Sequence, residues 1–218
     1  MGAKTWMLVF AEGDPSVLLK AKPTLDREAS LRLAASLFPK ETFEEIGTGD
    51  LSCTCPPDDE VHIGSFPGLA IVAAHEFAID YPSRLPPHFL AGAPFGEVWL
   101  HAMHSAVDWF AFARWSKGRL VRSLSLSADM GLLEDKGAHL PFEEPYWAGR
   151  YPAVDPADDP EPYPLPFHPL DLGEAALRAL FGYQLEGYYD AALIEPEDVP
   201  LLRLKRVRAH APWWKFWR

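Results

Sequence analysis

Apolar residues run along this chain in short blocks separated by glycine, proline and charge, and each block carries the period of a strand or a helix. Residues 5–11 (TWMLVFA) form a compact apolar run, which predicts a buried strand. Gly13, Asp14 and Pro15 end it. Leu25, Ala29, Leu33 and Leu37 recur every four residues, which predicts a helix over 25–37, capped by Thr24 and stopped by Pro39. Residues 44–60 carry Gly47, Gly49, Pro56 and Pro57 and read as a loop. Two strands, 61–66 and 69–77, flank the Pro67-Gly68 turn. The prolines of 81–96 leave room for a short helix at 87–92, and strands follow at 97–103 and 108–115. Lys117-Gly118 then turns the chain into 119–127. There Leu120, Leu124 and Leu126 share one face, with Val121, Ser123, Ser125 and Ser127 on the other, the pattern of a half-buried antiparallel strand.

From 141 to 169 the pattern changes. Seven prolines sit between Pro152 and Pro169, so the segment reads as an extended surface strap, partly polyproline II. Tyr163, Leu165 and Phe167 would pack it on the body. Residues 171–185 then show a helical apolar face of Leu172, Ala176, Ala179, Leu180 and Tyr183. Grouped strands with a few helices predict an α+β fold. The expected architecture is one mostly antiparallel sheet of about six strands in two βαββ-like halves, with a C-terminal helix and the strap. At 218 residues, 48% apolar and 23% charged, the chain has the composition of a globular domain with a sizeable core. That excludes a disordered chain, a collagen and a disulfide miniprotein. Residues 1–202 read as one domain and 203–218 as a tail.

Charge sharpens that division. The net charge is −11, yet residues 1–202 hold all 31 acidic residues against 14 basic ones, a body of −17. The six remaining basic residues lie in 203–218 with no acid. An acidic body disfavours a nucleic-acid partner. Cys53 and Cys55 are the only cysteines, too few for a disulfide scaffold and too close in sequence to close an unstrained ring. The first residues lack the pattern of a secretory signal, and no apolar run reaches the length of a bilayer span, so a cytoplasmic protein is expected.

Several long strings carry a resemblance: LHAMHSAVDWFAFARW (100–115), LVRSLSLS (120–127), LPFEEPYWAG (140–149) and PYPLPFHPLDLGEAALRALFG (162–182), with GAKTWML (2–8). Over most of 1–202 the chain resembles an uncharacterised family found largely in actinobacteria. The resemblance implies a bacterial cytoplasmic protein and supplies no activity, substrate or catalytic residue. The tail after about residue 202 and the Cys53-Thr54-Cys55 pair lie outside the family's pattern.

His101, His104 and Asp108 form the densest group of chemical side chains. On strands His101 and His104 face opposite ways. A turn at 105–107 would leave His104 and Asp108 flanking it, where the carboxylate could orient the imidazole as a general base. The competing reading is a polar clasp beside Trp99, Trp109 and Phe110. Cys53 and Cys55 are separated by one residue, where structural zinc sites use two to four, so ordinary thiols are expected and no metal is assigned. Glu143 and Glu144 are neighbours on an extended segment, face opposite ways, and read as a solvated or salt-bridged loop rather than a glycosidase pair. The PxxP match at 166–169 follows from the proline content alone. GxxxxGK[ST], GxSxG, HExxH and the calcium-loop pattern are absent, and no cofactor is expected.

The tail reads RLKRVRAHAPWWKFWR. Lys205, Arg206 and Arg208 precede Pro212, and Trp213, Trp214, Lys215, Phe216, Trp217 and Arg218 follow it. Interfacial tryptophans with basic residues describe a peripheral anchor on the inner face of an anionic membrane. The same groups could stack on single-stranded nucleic acid. The plainer alternative makes Leu201, Leu202, Leu204 and Val207 a last strand and the aromatics a cap or dimer seam. The expected function is non-catalytic binding through this tail to a membrane surface or a protein partner. A hydrolase-like enzyme using His104 and Asp108 in an aromatic cleft is the alternative, and a homo-oligomer is a third kind of partner.

Overall fold

A computed structural model describes residues 2–154 and 163–207 of the chain. Nine strands lie among them: β1 (Lys4–Ala11), β2 (Phe43–Asp50), β3 (Glu60–Phe66), β4 (Leu69–Ala73), β5 (Glu97–His104), β6 (Trp109–Ser116), β7 (Arg119–Ser127), β8 (Gly131–Lys136) and β9 (Pro200–Arg206). They form one open sheet in the order β2-β9-β3-β4-β1-β5-β6-β7-β8, and each strand pairing is antiparallel. The α+β class and the antiparallel sheet are as the sequence predicts; the strand number is nine rather than about six.

The added strands lie where apolar alternation is weak. β2 is an edge strand with five exposed residues in a row, and its Gly47 marks a bulge. The glycines and prolines of 44–60 predict a loop there. β8 is the opposite edge and only six residues long. β9 is the last-strand alternative for the tail, and it carries Arg203–Arg206 into the sheet, past the boundary set at 202. Because β9 inserts between β2 and β3, the sheet does not divide into two equal βαββ-like halves.

β1 explains the layering. Met7, Val9 and Ala11 point to one face and Leu8 and Phe10 to the other, and all five have no solvent exposure. A central strand apolar on both faces requires a cover on each. On the Leu8 side the cover is α2 (Arg27–Leu37) and α3 (Pro87–Ala91). On the Met7 side it is α1 (Pro15–Lys20), the single turn α4 (Glu144–Trp147), the extended residues around Leu165 and Phe167, and α5 (Pro169–Ala176). The cap of α2 is Asp26, whose Oδ1 accepts from Ala29 N at 2.8 Å, so the helix starts later than a Thr24 cap predicts. α5 starts on Pro169 and passes into a π-helical turn, Leu177–Phe181, that Gly182 ends in the left-handed region at φ 76°. It therefore stops short of the predicted residue 185. Part of the proline-rich strap, 155–162, lies outside the described residues.

Two polar contacts seat the Met7-side cover. His101 is fully buried and hydrogen-bonds Gly173 O through Nε2 at 3.0 Å. Burial pushes its pKa down to about 4, so it is a neutral donor. Gly173 is required at that contact, because a Cβ there would lie 2.9 Å from the Met103 sulfur. The second contact is Arg122, on the same face as Leu124 and without solvent exposure. Its Nη2 and Nε meet the carboxylate of Glu143, itself fully buried, at 2.6 and 3.0 Å, and Nη1 meets Asp135. Glu143 Oε1 also accepts from Leu140 N at 2.7 Å. The segment expected to be a solvated or salt-bridged loop is thus pinned into the interior by an ion pair. β7 is likewise buried on both faces over Arg122–Ser127, not half-buried. Its serines are used: Ser123 donates to Glu134 and Ser125 accepts from Trp109 Nε1.

Breaking a buried ion pair from one side strands the other charge. Glu143→Gln is expected to cost about 3 kcal/mol in urea unfolding. Arg122→Met combined with Glu143→Leu should recover most of that loss, since the pair is then replaced by apolar groups. A loss below about 1 kcal/mol in the single variant would show that the cover is held elsewhere.

Candidate functional site

The side chains with most chemistry collect at one end of the sheet on the Leu8 face. The strand registers place Lys4, His104, Trp109 and Ser127 in one row across β1, β5, β6 and β7. Trp6, two residues along β1 from Lys4, stacks on the His104 ring with centroids 6.0 Å apart. Asp129 and Met130, in the turn from β7 to β8, and Ala78 and Asp80, after a 3-10 turn at His75–Phe77, close the other sides. The result is a cleft of about 320 Å³. Trp6, His104 and Trp109 wall it; Asp80 and Asp129, both exposed, supply its carboxylates. Among the described residues no lysine or arginine lines it.

The aromatic cleft and its His104 are therefore present, but the acid–base pair is not assembled. The turn Ser105–Val107 follows His104 as expected, and His104 Nδ1 accepts from Ala106 N at 3.1 Å. Asp108 ends this turn with φ 42°, a left-handed conformation for a residue carrying a side chain. Its carboxylate meets His168, the cap residue of α5, at 3.6 Å. His168 Nδ1 in turn accepts from Leu170 N at 3.3 Å. Asp108 thus joins the turn to α5 as a polar clasp, while His104 is held by its own turn and by Trp6. Burial and then the neighbouring Lys4 charge lower the His104 pKa from its ordinary value. A neutral ring with Nδ1 accepting carries its proton on Nε2, the reverse of a base poised to receive one.

Of the nominated tail residues, two are placed. Lys205 Nζ lies 3.4 Å from Asp59. Arg206 lies within 3.1 Å of Glu41 and 2.7 Å of Glu76, with its guanidinium over the Phe38 ring. Both cations are engaged by carboxylates of the body. Arg208, Trp213, Trp214, Lys215, Phe216, Trp217 and Arg218 lie outside the described residues. No helix among the described residues is long and apolar enough to cross a membrane. Nor do they contain three or more His, Cys, Asp or Glu grouped to hold a metal ion.

Trp6, Asp80 and Asp129 were not singled out from the sequence. Trp6 sits in an apolar run that reads as core, and the two aspartates lie in turns where acids are ordinary. Only the strand registers bring them together.

The profile of a family described as "Family of unknown function (DUF6928)" matches residues 5–204. No curated protein and no solved structure matches the chain.

Histidine NMR separates the two possible partners of Asp108. His104 is expected to titrate below the ordinary imidazole value of about 6.5. Asp108→Asn should leave that titration in place and move the His168 signals. A His104 titration that shifts with Asp108→Asn would restore the pair.

Proposed function

The chain belongs to a family of unknown function, which passes on no activity, and we propose that it is a non-catalytic binding protein whose tryptophan cleft takes a small organic cation. The observation that carries this reading is the wall composition. Trp6, His104 and Trp109 present aromatic rings, and among the described residues the only charged side chains lining the cleft are Asp80 and Asp129. Ring faces attract a cation, and attract it more when water is excluded. Carboxylates at the mouth add to that attraction and discourage anions. The size, about 320 Å³, suits a compact ligand. His104, kept neutral, adds a ring without adding opposing charge.

Calorimetric titration of the full chain with choline and with its neutral isostere 3,3-dimethylbutan-1-ol tests the reading. Choline is expected to bind at least about tenfold more tightly, the equivalent of roughly 1.4 kcal/mol. Asp80→Asn and Asp129→Asn should each weaken choline and leave the isostere alone. Equal binding of both probes, or binding of neither, would sink the proposal.

A second reading keeps the C-terminal segment as a docking element for an anionic membrane surface, on the inner face of the membrane. What favours it is the alternation of Trp213, Trp214, Phe216 and Trp217 with Lys215 and Arg218. A protein partner is the other outcome of its test. Lys205 and Arg206 drop out of this element, because Asp59, Glu41 and Glu76 hold them. The test uses the full chain, since cutting at 202 would divide β9. Pelleting with phosphatidylglycerol vesicles, lost at high salt and in a Trp213→Ala, Trp214→Ala, Trp217→Ala variant, is the expected result. Equal pelleting with phosphatidylcholine, or none, rejects membrane docking.

A further inference from the structure

On the opposite side of the sheet's central strand from the tryptophan cleft, one short segment is fixed with unusual care for a loop. Trp6 N donates to Thr54 O at 2.9 Å, and Thr5 and Thr54 form an isolated parallel bridge. Thr54 is fully buried. Cys55 precedes Pro56, which confines it to extended backbone. In an extended segment alternate side chains share a side. With Thr54 turned in, Cys53 and Cys55 both turn out to the same side. They line a groove of about 700 Å³ together with Lys4, Gln184 and Pro196.

The two thiols are unlike. Cys53 is exposed and Cys55 only partly so. Beneath them His62, itself buried, places Nδ1 2.9 Å from Cys53 O and Nε2 3.3 Å from Glu60 Oε2. Glu60 also holds Arg203 at 2.9 Å. The neighbouring Cys55 thiol is the largest influence lowering the Cys53 pKa to about 6; the His62 charge adds to it. Cys53, then burial, pushes the Cys55 thiol up. An accessible thiolate beside a protonated partner is the division of labour a two-thiol exchange site requires.

We propose that Cys53 and Cys55 form a thiol–disulfide exchange site, in which Cys53 attacks a low-molecular-weight disulfide and Cys55 resolves the product. The Cys53 thiolate attacks one sulfur of the disulfide RSSR. The S–S bond breaks, and RS⁻ leaves and takes up a proton. Cys55 then loses its proton, attacks Cys53 Sγ in the mixed disulfide, and expels a second RS⁻, which is protonated. Both cysteines are oxidised to one disulfide and RSSR is reduced to two RSH. Residues two apart on extended backbone have Cα atoms about 6.6 Å apart, near the upper end of what a disulfide spans. The ring is strained, so a thiol reopens it readily. The site is suited to turnover rather than to permanent cross-linking, and it is independent of cation binding in the tryptophan cleft.

The test treats the reduced full chain with oxidised glutathione, followed by acid quench and mass spectrometry. Wild type should lose two hydrogens without accumulating a glutathione adduct. Cys55→Ser should accumulate the adduct on Cys53, and Cys53→Ser should react at least tenfold more slowly. Iodoacetamide labelling of the wild type supplies a measurement free of any folding defect in the variants, with Cys53 expected to be alkylated ahead of Cys55. A stable adduct on wild type, equal rates in the two variants, no reaction in any form, or equal alkylation of the two cysteines would each overturn the proposal.

Discussion

An arginine without solvent contact sets the terms on which half of this molecule is closed. The sheet is apolar on both faces at its centre, so neither face can be left wet. Helices cover the Leu8 face in the ordinary way. The other face is covered partly by a segment around Leu140–Trp147 that contains one helical turn and whose backbone bonds, among the described residues, run within the segment rather than to the sheet. Those bonds shape the segment without tying it to the sheet. Arg122 supplies a tie, by pairing bidentately with Glu143, whose carboxylate also accepts from the backbone of Leu140. The desolvation cost of that pair is offset only because nearly every donor on the guanidinium has an acceptor: Glu143, Asp135 and the carbonyls of Ser123, Lys136 and Gly137. His101 does the same for α5 with a neutral donor.

The candidate sites sit where these covers stop. At the row of Lys4, His104 and Trp109 the helices of the Leu8 face no longer reach, and the tryptophans line an open cleft instead of a core. At the other site, Thr54 docks against β1 and leaves its cysteine neighbours on the surface. Both places depend on β1, which carries Trp6 in one and accepts the Thr54 bridge in the other.

Much of this architecture is legible in the residues. Alternation and apolar runs locate β1 and β3 to β7, because those strands are buried and their side chains report it. The edge strands are not legible for the same reason: β2 reads FEEIGTGD, and nothing in that string needs a core. Edges that are short, charged and bulged protect a sheet from pairing with other chains, and that protection erases the periodic signal. The ion pair was hidden by local logic. Glu143 beside Glu144 suggests a wet loop, and only a strand some distance away in sequence supplies Arg122. The His104 and Asp108 reading identified the turn and the cleft, then failed on one dihedral, since the left-handed Asp108 hands its carboxylate to His168. The cysteine spacing is plain in the sequence, but the bridge that turns both thiols outward is not.

The position of β9 has a consequence for how the chain comes to be folded at all. Among the described residues β2 pairs only with β9, and β3 pairs with β9 on one side and β4 on the other. During synthesis the N-terminal strands emerge first, and β2 must remain without a partner while the whole of β3 to β8 and the strap are made. The slot between β2 and β3 is filled only once Pro200–Arg206 has been made, about 150 residues after β2. The sheet is therefore completed by β9, with a loop closure that joins strands about 150 residues apart. Until then β3 presents an open edge, and a nascent chain halted before β9 is a species for chaperones rather than a smaller version of the protein.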